Sequence, residues 1–260
     1  MASNQEQKAK ITLYWLDRSR SHRVLWLLEE LGLAYELRTF KRSKDMQAPQ
    51  ELKDVHPLGK SPIISVQVAE DGATPVVIPE SGAIVEYLLD HFGPQFVPQR
   101  YPEGKEGVTG GETEAWFRYR HLMHYAEGSL MTVLVVALMV LSIREAPVPF
   151  FIRPITRSVA SKMDTAFVAP NMATNLSFLE NQLATAPDGG GFFCGPQLTG
   201  ADFLMIFPLQ AARGRAGLTK EKYPRLVQYV ERLEAREAYK RAVKKIEEAT
   251  GEKFSMSVTD

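Results

Sequence analysis

Up to Phe92 the hydrophobic pattern switches repeatedly between the two-residue period of a strand and the helical period. Lys10–Leu16 is an apolar run that reads as a buried strand, and Asp17–Ser21 is a polar turn. Val24, Leu25, Leu27, Leu28 and Leu31 then mark one face of a helix that stops at Gly32, a residue suited to the left-handed position after a helix. Ala34–Phe40 alternates and predicts a second strand, and a short helix is expected near Pro49–Asp54. Two runs rich in β-branched residues, Ile63–Val68 and Thr74–Ile78, flank Glu70-Asp71-Gly72 and predict a hairpin. A third helix follows, with Ile84, Val85, Leu88 and Leu89 on its buried face. The first two strands are joined through a helix and should be parallel, by a right-handed crossover. The hairpin pair must be antiparallel.

The pattern changes after Phe92. Residues 94–111 are dense in Gly and Pro and read as a linker. Beyond them no strand is predicted. Glu112–Ile143 reads as one long helix, and Ile152–Leu183 as another with a break near Pro170. Thr199 and Asp202 resemble a capping box before the apolar run Phe203–Ile206, and helices are expected over Tyr223–Ala235 and Ala238–Ala249. The run Leu130–Ile143 is strongly apolar but shorter than the roughly 20 residues a membrane span needs. It is read as a buried core helix, so no transmembrane segment is expected.

Composition narrows the function classes. The 260 residues carry 31 Lys+Arg against 31 Asp+Glu, which argues against a nucleic-acid partner. The lone cysteine, Cys194, rules out a disulfide within the chain and points to a reducing, cytoplasmic location. His121 and His124 lack the further ligands a metal would need, so no metal is expected. Phe117, Tyr119, Met123 and Tyr125 either line an apolar pocket or pack between helices. Arg241, Lys244 and Lys245, alternating with Glu247 and Glu248, read as a solvated face.

The candidate chemistry lies at the ends of the hairpin. Ser61-Pro62 stands before its first strand, and a cis bond there would turn the backbone groups of Ser61 outward to pair with an extended peptide. Ser81 opens the third helix, whose unpaired N–H groups attract a carboxylate, and Glu80 offers an acceptor for an ammonium. Together these could hold a small zwitterionic peptide. The plainer alternative is a turn proline and an ordinary serine cap.

The joint occurrence of His56-Pro57-Leu58-Gly59-Lys60-Ser61-Pro62, Glu80-Ser81-Gly82-Ala83-Ile84 and Leu198-Thr199-Gly200-Ala201-Asp202 resembles the cytosolic glutathione transferase family over about residues 10 to 250. Tyr14–Arg20 and Tyr125–Leu130 are similar to a fungal branch with a serine-type active site. The family usually has Asn at position 56 and an apolar residue at position 61. The resemblance implies an α/β plus all-α fold: a thioredoxin-like glutathione-binding domain at residues 10–93, a linker at 94–111, and an all-helical domain at 112–250 that contributes the electrophile pocket.

The resemblance also implies the chemistry. Glutathione would be a co-substrate, its γ-glutamyl carboxylate on Ser81, its ammonium near Glu80 and its cysteinyl amide on the backbone of Ser61 beside Pro62. Lys60 and Gln47 would reach its glycyl carboxylate. A hydroxyl after the first strand would stabilise the thiolate, which is the nucleophile. Ser19 and Ser21 both lie there. Ser19 is preferred because it matches the fungal branch and sits nearer the strand, whereas Ser21 could cap the helix; Tyr14 is assigned to sheet packing. The implied activity is conjugation of glutathione to hydrophobic electrophiles in detoxification, with possible reduction of hydroperoxides, by a homodimer paired through the third helix and the helix starting near Glu112. The competing reading is a catalytically silent glutathione- or ligand-binding regulator on the same fold.

Overall fold

The computed structural model describes residues 7–68 and 73–255. The chain folds as two compact units. One takes in the N-terminal part to Gln95 together with the C-terminal part from Leu233, and the other runs from Phe96 to Arg232.

The first unit holds a four-stranded sheet in the order β2-β1-β3-β4, made of β1 (Ala9–Leu16), β2 (Tyr35–Phe40), β3 (Ile63–Val68) and β4 (Val76–Pro79). β1 pairs parallel with β2 and antiparallel with β3, and β3 pairs antiparallel with β4. The expected pairings are therefore present. The Asp-Gly turn predicted between β3 and β4 lies outside the described residues. β1 occupies the centre, where Ile11 and Leu13 have no exposure, which explains its nearly continuous apolar run. Helix α1 (Ser21–Leu31) buries Leu25, Trp26 and Leu28 and ends where Gly32, at φ 65°, donates its N–H to the carbonyls of Leu28 and Glu29. Helices α2 (Gln50–Val55) and α3 (Ser81–Phe92) complete the α/β part.

The last helix, α10 (Glu237–Thr250), packs on α1 within this unit, whereas the sequence reading assigned it to the helical domain. Tyr239 lies edge-on to His22 and Trp26, with ring centroids 5.1 and 5.8 Å away. Arg241 and Lys245, read from the sequence as a solvated face, instead reach the buried carboxylate of Glu29 at 3.0 and 2.5 Å. Lys244 keeps the expected exposure, 3.6 Å from Glu248. Alternating charges read as a solvated face, and the partner of Arg241 stands more than 200 positions away.

The second unit is helical: α4 (Glu114–Tyr125), α5 (Thr132–Arg144), α6 (Arg153–Met163), α7 (Ala169–Ala184), α8 (Gly200–Arg215) and α9 (Pro224–Glu234). A π-helical segment, Ala126–Met131, joins α4 to α5, making the single long helix the pattern predicts. A second such segment, Asp164–Val168, joins α6 to α7 and stands just before Pro170. Proline has no N–H to return to the preceding turn, so the loosening falls N-terminal to it.

The expectation of a buried core helix over Leu130–Ile143 needs correction. Val133, Leu134 and Val140 are buried, but Val135, Leu138 and Met139 are 43, 38 and 58 % exposed. The helix is apolar all round, and its contacts with α6, α7 and α8 leave these three side chains exposed. By length and composition Glu114–Arg144 could cross a membrane, yet a third of its most apolar window is buried inside the protein.

The start of α8 carries the predicted capping box. The Asp202 carboxylate accepts the N–H and hydroxyl of Thr199 at 2.7 and 2.9 Å. Its other oxygen accepts the Tyr229 hydroxyl at 2.6 Å.

Candidate functional site

The strand directions bring the sequence-predicted residues of the first unit to one end of its sheet. β1 runs towards that end and delivers Ser19 and Ser21 just beyond Leu16. β3 starts there, preceded by Ser61 and Pro62, and Ile63 pairs with Pro79 at the exit of β4. Glu80 and Ser81 follow Pro79 directly. The Ser61-Pro62 bond is cis.

Three serine hydroxyls form a connected chain. Ser19 Oγ donates to the Leu16 carbonyl at 2.7 Å and lies 2.7 Å from Ser21 Oγ. Ser21 Oγ touches Ser61 Oγ, which donates to the Tyr14 carbonyl at 2.8 Å and accepts the Leu16 N–H at 3.2 Å. Ser19 and Ser61 each donate to a carbonyl of β1, so the single hydroxyl proton of Ser21 can serve only one of its two serine neighbours at a time. Ser21 has no exposure and Ser19 retains 8 %. The sequence reading assigns Ser61 a backbone role; the structure adds hydroxyl contacts to the Tyr14 carbonyl and the Leu16 N–H, at a position where the family usually carries an apolar residue. Tyr14 sits in the sheet as expected, its hydroxyl 3.3 Å from Ser65 Oγ and its ring stacked on Phe40.

At the other strand exit, Glu80 has φ 69°, a conformation a non-glycine residue rarely holds. Glu80 is exposed and Ser81 buried, and the Glu80 side chain does not cap the first turn of α3. Lys60 and Gln47 are both exposed. Gln47 belongs to the turn after β2, where its backbone pairs with Ser43.

In the helical unit, Phe117 lines an open groove of about 590 Å³ with Arg118, His121, Phe178 and three further residues. Tyr119 and Met123 are buried and serve packing instead. His121 meets the rings of Tyr125 and Phe178 edge-on, and the described residues contain no group of three or more His, Cys, Asp or Glu side chains able to hold a metal ion. Cys194 is buried, and burial with the nearby Asp202 charge pushes its thiol up to about 12, so it stays protonated and inert.

The chain matches the glutathione S-transferase N-terminal domain over residues 18–91 and the glutathione S-transferase C-terminal domain over residues 141–237. It is 33% identical to Glutathione S-transferase 1 of Saccharomyces cerevisiae over 229 residues, covering 88% of this chain and 92% of the relative. A crystal structure of a glutathione S-transferase from Actinobacillus pleuropneumoniae superposes with a TM-score of 0.65 at 30% identity, over 96% of this chain and 97% of that one. The same fold recurs in the glutathione transferase URE2P8 of Phanerochaete chrysosporium, solved with oxidized glutathione, at a TM-score of 0.65 and 16% identity over 96% of this chain and 100% of that one. The chain belongs to the glutathione S-transferase family. Its fold is a thioredoxin-like unit with a small sheet, joined to the family's helical domain.

Proposed function

We propose that this protein conjugates glutathione to hydrophobic electrophiles through a serine-stabilised thiolate. The observation that carries the reading is the meeting, at one end of the sheet, of the Ser19–Ser21–Ser61 hydroxyl chain, the Ser61-Pro62 turn and the start of α3, which the Glu80 side chain leaves uncapped. The backbone of Ser61 pairs with the cysteinyl amide. Ser81 and the first N–H groups of α3 take the γ-glutamyl carboxylate, with Glu80 near the ammonium. Lys60 and Gln47 serve the glycyl carboxylate. These assignments make the sheet-bearing unit the glutathione-binding one.

The thiol titrates near ~8.5 in solution and is mostly protonated at neutral pH. Ser19 turns its hydroxyl from the Leu16 carbonyl to the sulfur, and Ser21 takes over as the donor to Ser19. A hydrogen bond to the anion favours it over the thiol. The thiolate then forms the C–S bond while the leaving group departs with its electron pair and the thiol proton passes to solvent. Reduction of an organic hydroperoxide by two glutathione molecules, giving the alcohol, water and the disulfide, would use the same thiolate. The working form is a cytoplasmic homodimer, and a sedimentation mass of a single 29.2 kDa chain would count against that part.

One observation favours a second reading. Ser19 donates inward to Leu16, as it would in a glutathione binder that does no chemistry. Turnover with an aromatic halide and with cumene hydroperoxide decides between them. Retention on immobilised glutathione with no turnover of either substrate establishes the binder.

A further inference from the structure

The serine chain at the end of the sheet has fewer protons than contacts, and the shortage traces to Ser61. Four oxygen–oxygen contacts link its members: Ser19 to the Leu16 carbonyl at 2.7 Å, Ser19 to Ser21 at 2.7 Å, Ser21 to Ser61, and Ser61 to the Tyr14 carbonyl at 2.8 Å. Each contact needs a proton, and three hydroxyls supply three. The two carbonyls only accept, so they take the protons of Ser19 and Ser61. The Ser21 proton is left with two oxygens to serve. The buried N–H of Leu16 is divided too, 3.2 Å from Ser61 Oγ and 3.4 Å from Ser21 Oγ.

With an apolar residue at position 61 the count closes. Ser19 and Ser21 then have two protons for two contacts, and the Leu16 N–H keeps Ser21 Oγ as its acceptor. Hydrogen bonds would run in one direction, from Leu16 through Ser21 to Ser19, and bonds aligned head to tail strengthen one another. The Ser61 hydroxyl interrupts that run. A thiolate that draws the Ser19 proton needs the Ser21 proton on Ser19, and this leaves the contact between Ser21 and Ser61 with none. The cost falls on the ionised state alone, because with a neutral thiol the Ser21 proton is free to serve Ser61.

We infer that Ser61 is a positioning residue for the sulfur chemistry: acting through Ser21, its hydroxyl holds back the hydrogen bond that Ser19 gives the glutathione thiolate, so the thiol ionises less readily than it would with an apolar residue at position 61. The role rests on the serine-thiolate reading proposed above. Its consequence is a thiolate that is scarcer but more reactive, because nucleophilicity falls with pKa. The test is the pKa of bound glutathione, titrated by thiolate absorbance on the full chain, across a double-mutant cycle of Ser61→Ala and Ser21→Ala. Ser61→Ala lowers that pKa by about half to one pH unit, the worth of one hydrogen bond. Ser61→Val, also apolar, repeats the fall, and Ser61→Thr, which keeps a hydroxyl, retains the wild-type value. In the Ser21→Ala background Ser61→Ala shifts nothing, since its route to Ser19 is gone. Wild-type circular dichroism in each variant excludes misfolding. An unchanged or raised pKa in Ser61→Ala, or the same fall in Ser61→Thr, overturns the role; if Ser19→Ala still raises the pKa, the serine-thiolate reading stands without it. An equal fall in the Ser21→Ala background overturns the route through Ser21. A wild-type thiol at the free value of ~8.5 overturns the reading itself, and the role of Ser61 with it.

Discussion

Asp202→Ala tests what the buried carboxylate at the start of α8 contributes, and its effect should depend on pH in a direction the structure fixes. Asp202 is fully buried, and burial raises its carboxyl to about 6 despite hydrogen bonds from Tyr229, Thr199 and the Phe193 backbone that favour the anion. Holding it ionised at pH 7 costs the fold about 3 kcal/mol. Removing it relieves that cost but leaves buried Thr199 and Tyr229 donors unpaired, at about 1–3 kcal/mol each, with a further donor at Phe193. The net loss at pH 7 is about 2 kcal/mol. A carboxyl raised in the folded state binds its proton there first, so wild-type stability gains as pH falls through about 6 towards the unfolded value. The relief available to the variant shrinks accordingly, and the gap should widen by about 1 kcal/mol between pH 7 and pH 5. Chemical denaturation followed by circular dichroism, at both pH values and on both proteins, measures the gap; other titrating groups cancel in the difference. A gap under about 1 kcal/mol at both pH values, or one that narrows on acidification, would refute the reasoning.

Two further predictions rest on single buried side chains. His22 lies between the rings of Phe254 and Tyr239 with neither nitrogen hydrogen-bonded among the described residues, and burial lowers it to about 3, so it is neutral in the fold. Its contribution is intact above its unfolded value near 6.5 and is lost as pH falls below that; by pH 5 the wild type should lose about 2 kcal/mol relative to His22→Phe, and a flat difference across that window in denaturation experiments would contradict the burial. Cys194→Ser should keep its glutathione turnover within about twofold, because a protonated, enclosed thiol does no chemistry; steady-state kinetics that find the variant inactive would return the sulfur chemistry to this residue.

Local signals carried much of the fold. Gly32 ended α1, the Gly-Pro-rich stretch after Phe92 marked the change of pattern, and Thr199 and Asp202 opened α8, because each acts through its own neighbours in sequence. What could not be read depended on distant partners. Arg241 and Lys245 looked solvated until Glu29 met them, and Leu130–Ile143 looked buried because periodicity reports how apolar a helix is and says nothing of how many neighbours will cover it. The site divides the same way. The motifs named Ser19, Ser21, Ser61 and Ser81, but only the pairing of β1 with β3 joins Ser19, Ser21 and Ser61 into one hydroxyl chain.

The central claim is that Ser19 holds the glutathione sulfur as a thiolate, and the most direct measurement is the pKa of the bound thiol, titrated by the ultraviolet absorbance of the thiolate in wild type and Ser19→Ala. The account predicts a wild-type value well below the free value of ~8.5 and a rise towards it in Ser19→Ala. Turnover should fall about 10²-fold alongside, as for other positioned donors. A bound thiol with the same pKa in Ser19→Ala as in the wild type, and turnover to match, would contradict it; the same loss in Ser21→Ala alone would move the role to Ser21.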